Sequence, residues 1–149
     1  MHSVSFSIST QTVGTTVFPI VLPHVDSVPL TELVRGFETG QGWTPTGGYA
    51  GLDSARCRYC PWIDYFKGYC GMSWLNGEKT ALLVCNCGVY TCWPLLAAIT
   101  TDYETLTWSQ FEQPHRPERD YSAFGPFTFD WQDYKDALEE LMEQTGPPV

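Results

Sequence analysis

The sequence predicts an α+β fold in which an antiparallel β-meander sheet carries two helices packed on one face. Residues 79–110 contain three apolar segments separated by short turns, a pattern typical of an antiparallel three-stranded meander. Residues 29–39 and 130–144 have the apolar spacing of amphipathic helices. No repeat, low-complexity tract or linker interrupts the chain, so we expect a single domain over 1–149.

Two strands are predicted before the first helix. Residues 3–9 alternate serine with apolar residues, and this period of two indicates a half-buried strand. Residues 17–22 form a second apolar run. Because proline cannot donate to a strand ladder, Pro19 predicts that this second strand lies at a sheet edge or at a bulge.

Residues 40–78 are rich in glycine and aromatic residues, and they are predicted to form a long irregular loop region. Loops of this length are usually functional or held by a cross-link. Trp43, Tyr49 and Trp62 lie in this region. They are candidate contacts for a protein partner, because aromatic residues tend to dominate interface energies.

The C-terminal helix is the most clearly predicted element. Asp130 is a candidate N-cap, and Phe129 is placed to contact Tyr134 across the first turn. One face is apolar and contains Trp131, Tyr134, Leu138 and Leu141. The opposite face carries a narrow stripe of four acids: Asp133, Asp136, Glu140 and Glu143. Such a stripe is either an ordinary solvated face or a surface that binds a basic partner.

The charge is unevenly distributed along the chain. The formal net charge is −9, of which residues 1–101 carry −1 and residues 102–149 carry −8. Direct nucleic-acid binding is disfavoured, because no basic stripe is present to neutralise phosphates. A basic protein partner is the natural complement of the acidic segment. No apolar run reaches the length of about 18 residues that a membrane helix needs.

Five of the six cysteines form two clusters: Cys57, Cys60, Cys85, Cys87 and Cys92. They could hold a structural Zn²⁺ ion in a tetrahedral site. They could instead be unligated buried thiols. A redox role is the third reading, because the run 57–61 resembles the CxxC-Pro sequence of thiol oxidoreductases. The N-terminus lacks the features of a signal peptide, so we expect a cytoplasmic protein with reduced thiols.

His115 is the only histidine within a polar cluster, and Glu112 and Asp120 lie near it in sequence. These three residues are candidates for acid–base catalysis. The alternative is that the segment, which Pro114 and Pro117 hold extended, only fixes a loop to the sheet. No nucleophile, phosphate-loop, dinucleotide-binding or HExxH motif accompanies His115.

Three motifs in the C-terminal half carry a family resemblance: CxCGxxxCWPL at 85–95, FxQPHR at 111–116 and GPFxFD at 125–130. Residues 80–145 resemble a family of small bacterial proteins with no assigned activity. The resemblance implies a bacterial or phage-borne cytosolic domain and adds no catalytic role to any residue.

In size and charge the chain is similar to small acidic bacterial inhibitors, such as immunity proteins that neutralise basic toxins and anti-defence proteins. We therefore expect a non-enzymatic acidic protein that binds and inhibits a basic protein partner. The alternatives are a zinc-stabilised structural or adaptor module and, less favoured, a hydrolase that uses His115.

Overall fold

The computed structural model describes residues 1–53, 60–69, 79–85 and 94–145. The strands in this part of the chain are β1 Val4–Val13, β2 Thr16–Val25, β3 Val28–Pro29, β4 Tyr49–Ala50, β5 Leu52–Asp53, β6 Thr80–Cys85, β7 Leu95–Thr101, β8 Thr105–Glu112 and β9 Phe127–Asp130. The helices are α1 Leu30–Gly40, α2 Trp62–Tyr65 and α3 Trp131–Thr145. The predicted α+β class is confirmed.

The predicted meander is confirmed, and further strands extend it on both sides. Strands β6, β7 and β8 pair antiparallel in chain order, and β9 adds antiparallel to β8. On the other edge β4 pairs with β6, with Tyr49 opposite Cys85. The connection between β6 and β7, which contains Cys87 and Cys92, lies outside the described residues.

The N-terminal strands form a second sheet of their own. A long antiparallel hairpin joins β1 and β2 from Val4 opposite Val25 to Val13 opposite Thr16. Its turn contains Gly14 at a φ of 63°, a left-handed conformation that glycine adopts without steric cost. Strands β3 and β5 pair with the other side of β2.

Strand β2 is therefore an internal strand without a bulge, and the predicted edge or bulge position of this strand is wrong, although Pro19 itself is paired only with β1 among the described strands. The N–H of Asp26 donates to the Ser3 carbonyl, and bonded pairs alternate along an antiparallel ladder. Ser3 and Asp26 are a hydrogen-bonded pair, and Thr10 and Pro19 lie seven pairs further along the same register. Thr10 and Pro19 are therefore a non-hydrogen-bonded pair, so the proline nitrogen points away from β1. On that side β5 pairs only with Ile20 and Val21, so Pro19 is not required to donate a bond to it.

The two sheets are linked on both sides. The N–H of His2 donates to the Thr128 carbonyl at 2.9 Å, and His2 pairs in parallel with Phe129 of β9. On the other side the chain passes from β4 to β5 through Gly51. A Cβ atom at Gly51 would lie 2.4 Å from the Val21 carbonyl oxygen, so the crossing requires glycine. The sheets thus enclose one common core.

The local features predicted for helix α3 are confirmed. The Asp133 N–H donates to Asp130 Oδ2 at 3.1 Å, which confirms the N-cap. The rings of Phe129 and Tyr134 are 5.6 Å apart, as predicted for the first turn. Tyr134, Leu138 and Leu141 are completely buried, and Trp131 is half-buried. The helix packs mainly on β1 of the second sheet, with further contacts to α2, β8 and β9, so the predicted packing of the helices on the meander is corrected. Helix α1 likewise contacts β2 and β3 of the second sheet.

The centre of the core is organised by Tyr134. Its hydroxyl accepts a hydrogen bond from Trp108 Nε1 at 3.1 Å and donates one to the Phe66 carbonyl at 2.7 Å. Burial raises the pKa of Tyr134 well above its usual range, so the hydroxyl stays protonated and available as a donor. These bonds join α3, β8 and the end of α2.

The glycine- and aromatic-rich region contains more structure than predicted. It supplies β4, β5 and the short helix α2, whose Tyr65 hydroxyl donates to the Ala81 carbonyl of β6 at 2.7 Å. Residues 54–59 and 70–78 of this region lie outside the described residues.

Candidate functional site

The acidic stripe predicted on α3 is solvent-exposed along its whole length: Asp133, Asp136, Glu140 and Glu143. The buried Tyr134, Leu138 and Leu141 fix the opposite face of the helix in the core. The stripe is therefore held on a rigid element.

The single lysine of α3 does not neutralise this stripe. Lys135 Nζ lies 3.9 Å from Glu139 Oε1, a fifth acid outside the stripe. Within the stripe, Asp136 Oδ1 accepts a hydrogen bond from Gln132 Nε2 at 2.9 Å, which is a neutral contact. Among the described residues, no ion pair neutralises the stripe.

A groove lies between this helix and the start of β1. Its volume is about 280 Å³, and its lining residues are Val4, Ser5, Phe6, Asp133, Asp136, Ala137 and Glu140. Three of the four stripe carboxylates border the groove, whereas Glu143 is not among its lining residues. The acidic face is thus concave rather than flat near its N-terminal end.

Two of the three predicted aromatic anchors are core residues, and this part of the prediction is corrected. Tyr49 is 8% exposed and Trp62 is 5% exposed, so neither ring can contact a partner in this conformation. Trp62 stacks on Phe66 with the ring centroids 5.5 Å apart. Trp43 is half-buried and packs against Phe37. The glycine-rich surroundings suggested exposed rings, but the two sheets leave an interior that large side chains fill.

A buried ionic cluster that the sequence did not predict is centred on Glu38. Its carboxylate accepts hydrogen bonds from the Gly47 N–H at 2.8 Å, the Tyr49 hydroxyl at 3.0 Å and the Tyr121 hydroxyl. Arg119 Nη1 lies 3.3 Å away, and Glu38 is completely buried.

The cluster fixes two connecting segments to α1. Arg119 Nη2 donates to the Pro45 carbonyl at 2.9 Å, and its guanidinium lies 5.4 Å from the Trp43 ring. Burial and the neighbouring Tyr121 and Glu38 raise the pKa of Tyr49 far above its usual range. Burial and the bond to Glu38 likewise raise the pKa of Tyr121. Both hydroxyls therefore remain donors, and the arrangement is a structural clamp.

One sequence signal could have revealed Glu38. It follows Leu30 and Val34 at intervals of four residues, and both of those are completely buried. An acid on the apolar face of a helix predicts a buried charge that needs a partner. The identity of that partner, Arg119, could not be read from local sequence.

The polar residues around His115 are engaged in local contacts. The exposed His115 donates its main-chain N–H to Gln113 Oε1 at 2.9 Å. Glu112 Oε1 lies 3.1 Å from Lys79 Nζ, and Asp120 Oδ1 accepts the Ser122 N–H at 2.9 Å. The bond from the Ser122 main chain lowers the pKa of Asp120.

These contacts assign Glu112 and Asp120 to different partners. Glu112 forms an ion pair that links β8 to the residue before β6, and Asp120 stabilises a turn. Both observations match the alternative that the segment fixes a loop to the sheet. The His115-based hydrolase stays a prediction that gains no support from these contacts.

Among the predicted metal ligands, Cys60 and Cys85 lie in the described part of the chain. Cys60 is disulfide-bonded, and Cys85 is half-buried and is not part of a disulfide. A disulfide sulfur is not a thiolate ligand, so a Zn²⁺ site that includes Cys60 requires the reduced protein. The expectation that all thiols are reduced is not met at Cys60.

The remaining predicted ligands, Cys57, Cys87 and Cys92, lie outside the described residues. Within the described ranges, no group of three or more metal-binding side chains comes together. Zinc binding therefore stays a prediction.

None of the helices in the described part of the chain has the length and apolar character needed to cross a membrane. Comparison of the chain with protein-family models, with characterised proteins and with solved structures finds no match. The resemblance to a small bacterial family also stays a prediction, and the functional argument depends on the chain's own residues.

Proposed function

We propose that this protein is a non-enzymatic binding protein whose acidic α3 face docks on a basic protein partner and inhibits it, as immunity and anti-defence proteins do. The observation that carries the proposal is the exposed row formed by Asp133, Asp136, Glu140 and Glu143, which no described basic residue pairs with. Its setting on a helix fixed in the core supports the proposal, because a rigid charged surface loses little conformational entropy on binding.

Electrostatics favour association with a basic surface in particular. Like charges at helical spacings of three and four residues repel by a few tenths of a kcal/mol per pair. A complementary surface relieves this repulsion and also steers the diffusing partner towards the site. Residues 102–149 carry −8 of the total charge, and the stripe concentrates four of their acids on one exposed helix face.

The test compares two double variants of equal net charge. Asp136→Lys with Glu140→Lys reverses the stripe, whereas Glu104→Lys with Glu118→Lys reverses two exposed acids outside α3. Each double variant changes the net charge by four units, from −9 to −5. Both should retain the fold, because surface substitutions usually change stability by less than about 0.5 kcal/mol.

The readout is affinity for the partner that co-purifies from the native host, measured at low and moderate salt. We expect the stripe variant to bind more weakly and to lose salt dependence, while the control stays close to the wild type. Equal losses in both variants would indicate a general charge effect, and unchanged binding of the stripe variant would assign the acidic face to solubility. Either result would contradict the proposal.

A further inference from the structure

We infer that the groove between β1 and α3 receives an arginine side chain of the basic partner. This inference rests on the proposed function, and it adds the contact by which that partner would be recognised. The groove is lined by Asp133, Asp136 and Glu140 of α3 and by residues 4–6 of β1.

The β1 side of the groove is a strand edge that no described strand pairs with beyond His2. Among the described strands, β1 pairs only with β2, apart from the bridge that His2 makes to β9. The bonds of Ser3 point towards β2, and the N–H of His2 points the other way, to Thr128. Alternation along the ladder then places the N–H and C=O groups of Val4 and Phe6 on the outer edge.

No described residue bonds these outward main-chain groups. Within the described residues, no hydrogen bond ends on the outer groups of Val4 or Phe6. An unpaired strand edge is a ready site for a partner's hydrogen-bonding groups. The groove therefore offers main-chain carbonyls on one wall and carboxylates on the other.

This combination fits a guanidinium better than an ammonium group. Arginine presents five N–H donors in a rigid plane, so that one side chain can bond acceptors lying in several directions. Lysine carries a compact charge that is more strongly hydrated. The small side chain of Ala137 leaves the space into which the arginine side chain would extend.

The probe is the blocked peptide acetyl-Ala-Arg-Ala-amide, added to ¹⁵N-labelled protein at low salt. We expect saturable shifts at the amides of Val4, Phe6 and Ala137. The lysine peptide should bind several-fold more weakly, and the neutral citrulline peptide should cause no shift. Equal shifts with all three peptides, or no saturable shift with the arginine peptide, would overturn the inference.

Two kinds of variant separate the shape of the groove from its charge. Ala137→Leu fills the groove without changing any charge, and it should abolish the saturable shifts. Asp133→Asn and Glu140→Gln retain the shape, and each should weaken binding by about two- to five-fold, as expected for the loss of one exposed charge pair. Glu143→Gln, on the same stripe but outside the groove lining, should bind as the wild type does.

The results also separate this inference from the proposed function. If partner binding depends on the stripe charges but is unchanged in Ala137→Leu, the acidic docking face stands and arginine insertion is overturned. If Ala137→Leu fails to fold, the charge variants still test arginine insertion. A loss of peptide affinity in Glu143→Gln as large as that in Glu140→Gln would overturn the role of the groove.

Discussion

The buried pair of Glu38 and Arg119 gives the largest stability prediction. Their side chains are 0% and 4% exposed, so neither charge can be compensated by solvent. Glu38→Gln retains the size of the side chain and an acceptor for the Gly47 N–H, but it leaves the guanidinium without a counter-charge. Removing one member of a buried ion pair costs about 3–5 kcal/mol, and we expect a loss of that size in the free energy of unfolding.

The assay is urea unfolding followed by tryptophan fluorescence, with Glu32→Gln as the matched control. Glu32 pairs with Arg35 on the same helix, and both of these side chains are more than half exposed. This change should cost about 1 kcal/mol or less. Glu38→Gln combined with Arg119→Met should cost less than the sum of the single changes, because the second change removes the unpaired charge. Additive losses, or a Glu38→Gln loss no larger than the control, would refute the reasoning.

Three further predictions follow from the same structure. Leu138→Ala removes a completely buried side chain from α3, and it should lower the free energy of unfolding by about 2–4 kcal/mol in urea melts. Hydrogen bonds from His2 and the Ser3 main chain lower the pKa of Asp26 in the folded protein. This carboxylate therefore stabilises the fold above the pKa that it has in the unfolded chain, and it loses that contribution as the pH falls through its pKa in the folded protein. In Asp26→Asn the free energy of unfolding should therefore fall less steeply below about pH 4 than in the wild type. An equally steep fall in both proteins would contradict a stabilising role for the Asp26 carboxylate. Because Cys60 is disulfide-bonded, at most four of the six cysteines should react with a thiol reagent in denaturant without reductant, and six reactive thiols would exclude the bond.

The elements that sequence predicted well are those specified by local chemistry. The α3 prediction followed from an N-cap at Asp130, a contact between Phe129 and Tyr134, and an apolar face, all of which act within a few residues. The meander was equally readable, because short turns bring consecutive strands together. Exposure of the acidic stripe followed directly from burial of the opposite face.

The features that sequence could not predict depend on distant segments. Glu38 and Arg119 are 81 positions apart, and their pairing arises only when α1 and the segment after β8 meet. Tyr49 resembled a loop aromatic, yet β4 places it beside β6 in the core. The pairing of β2 at Ile20 and Val21 likewise depends on β5, a strand of two residues that is too short to show a periodic pattern.

The most direct test of the acidic docking face is the rate of association with the partner as a function of ionic strength. We expect the wild type and the Glu104→Lys with Glu118→Lys control to associate quickly at low salt and to slow steeply as salt screens the exposed charges beyond about 8–10 Å. The Asp136→Lys with Glu140→Lys variant should associate slowly, with little dependence on salt. A stripe variant whose association rate falls as steeply with salt as that of the wild type would contradict the account.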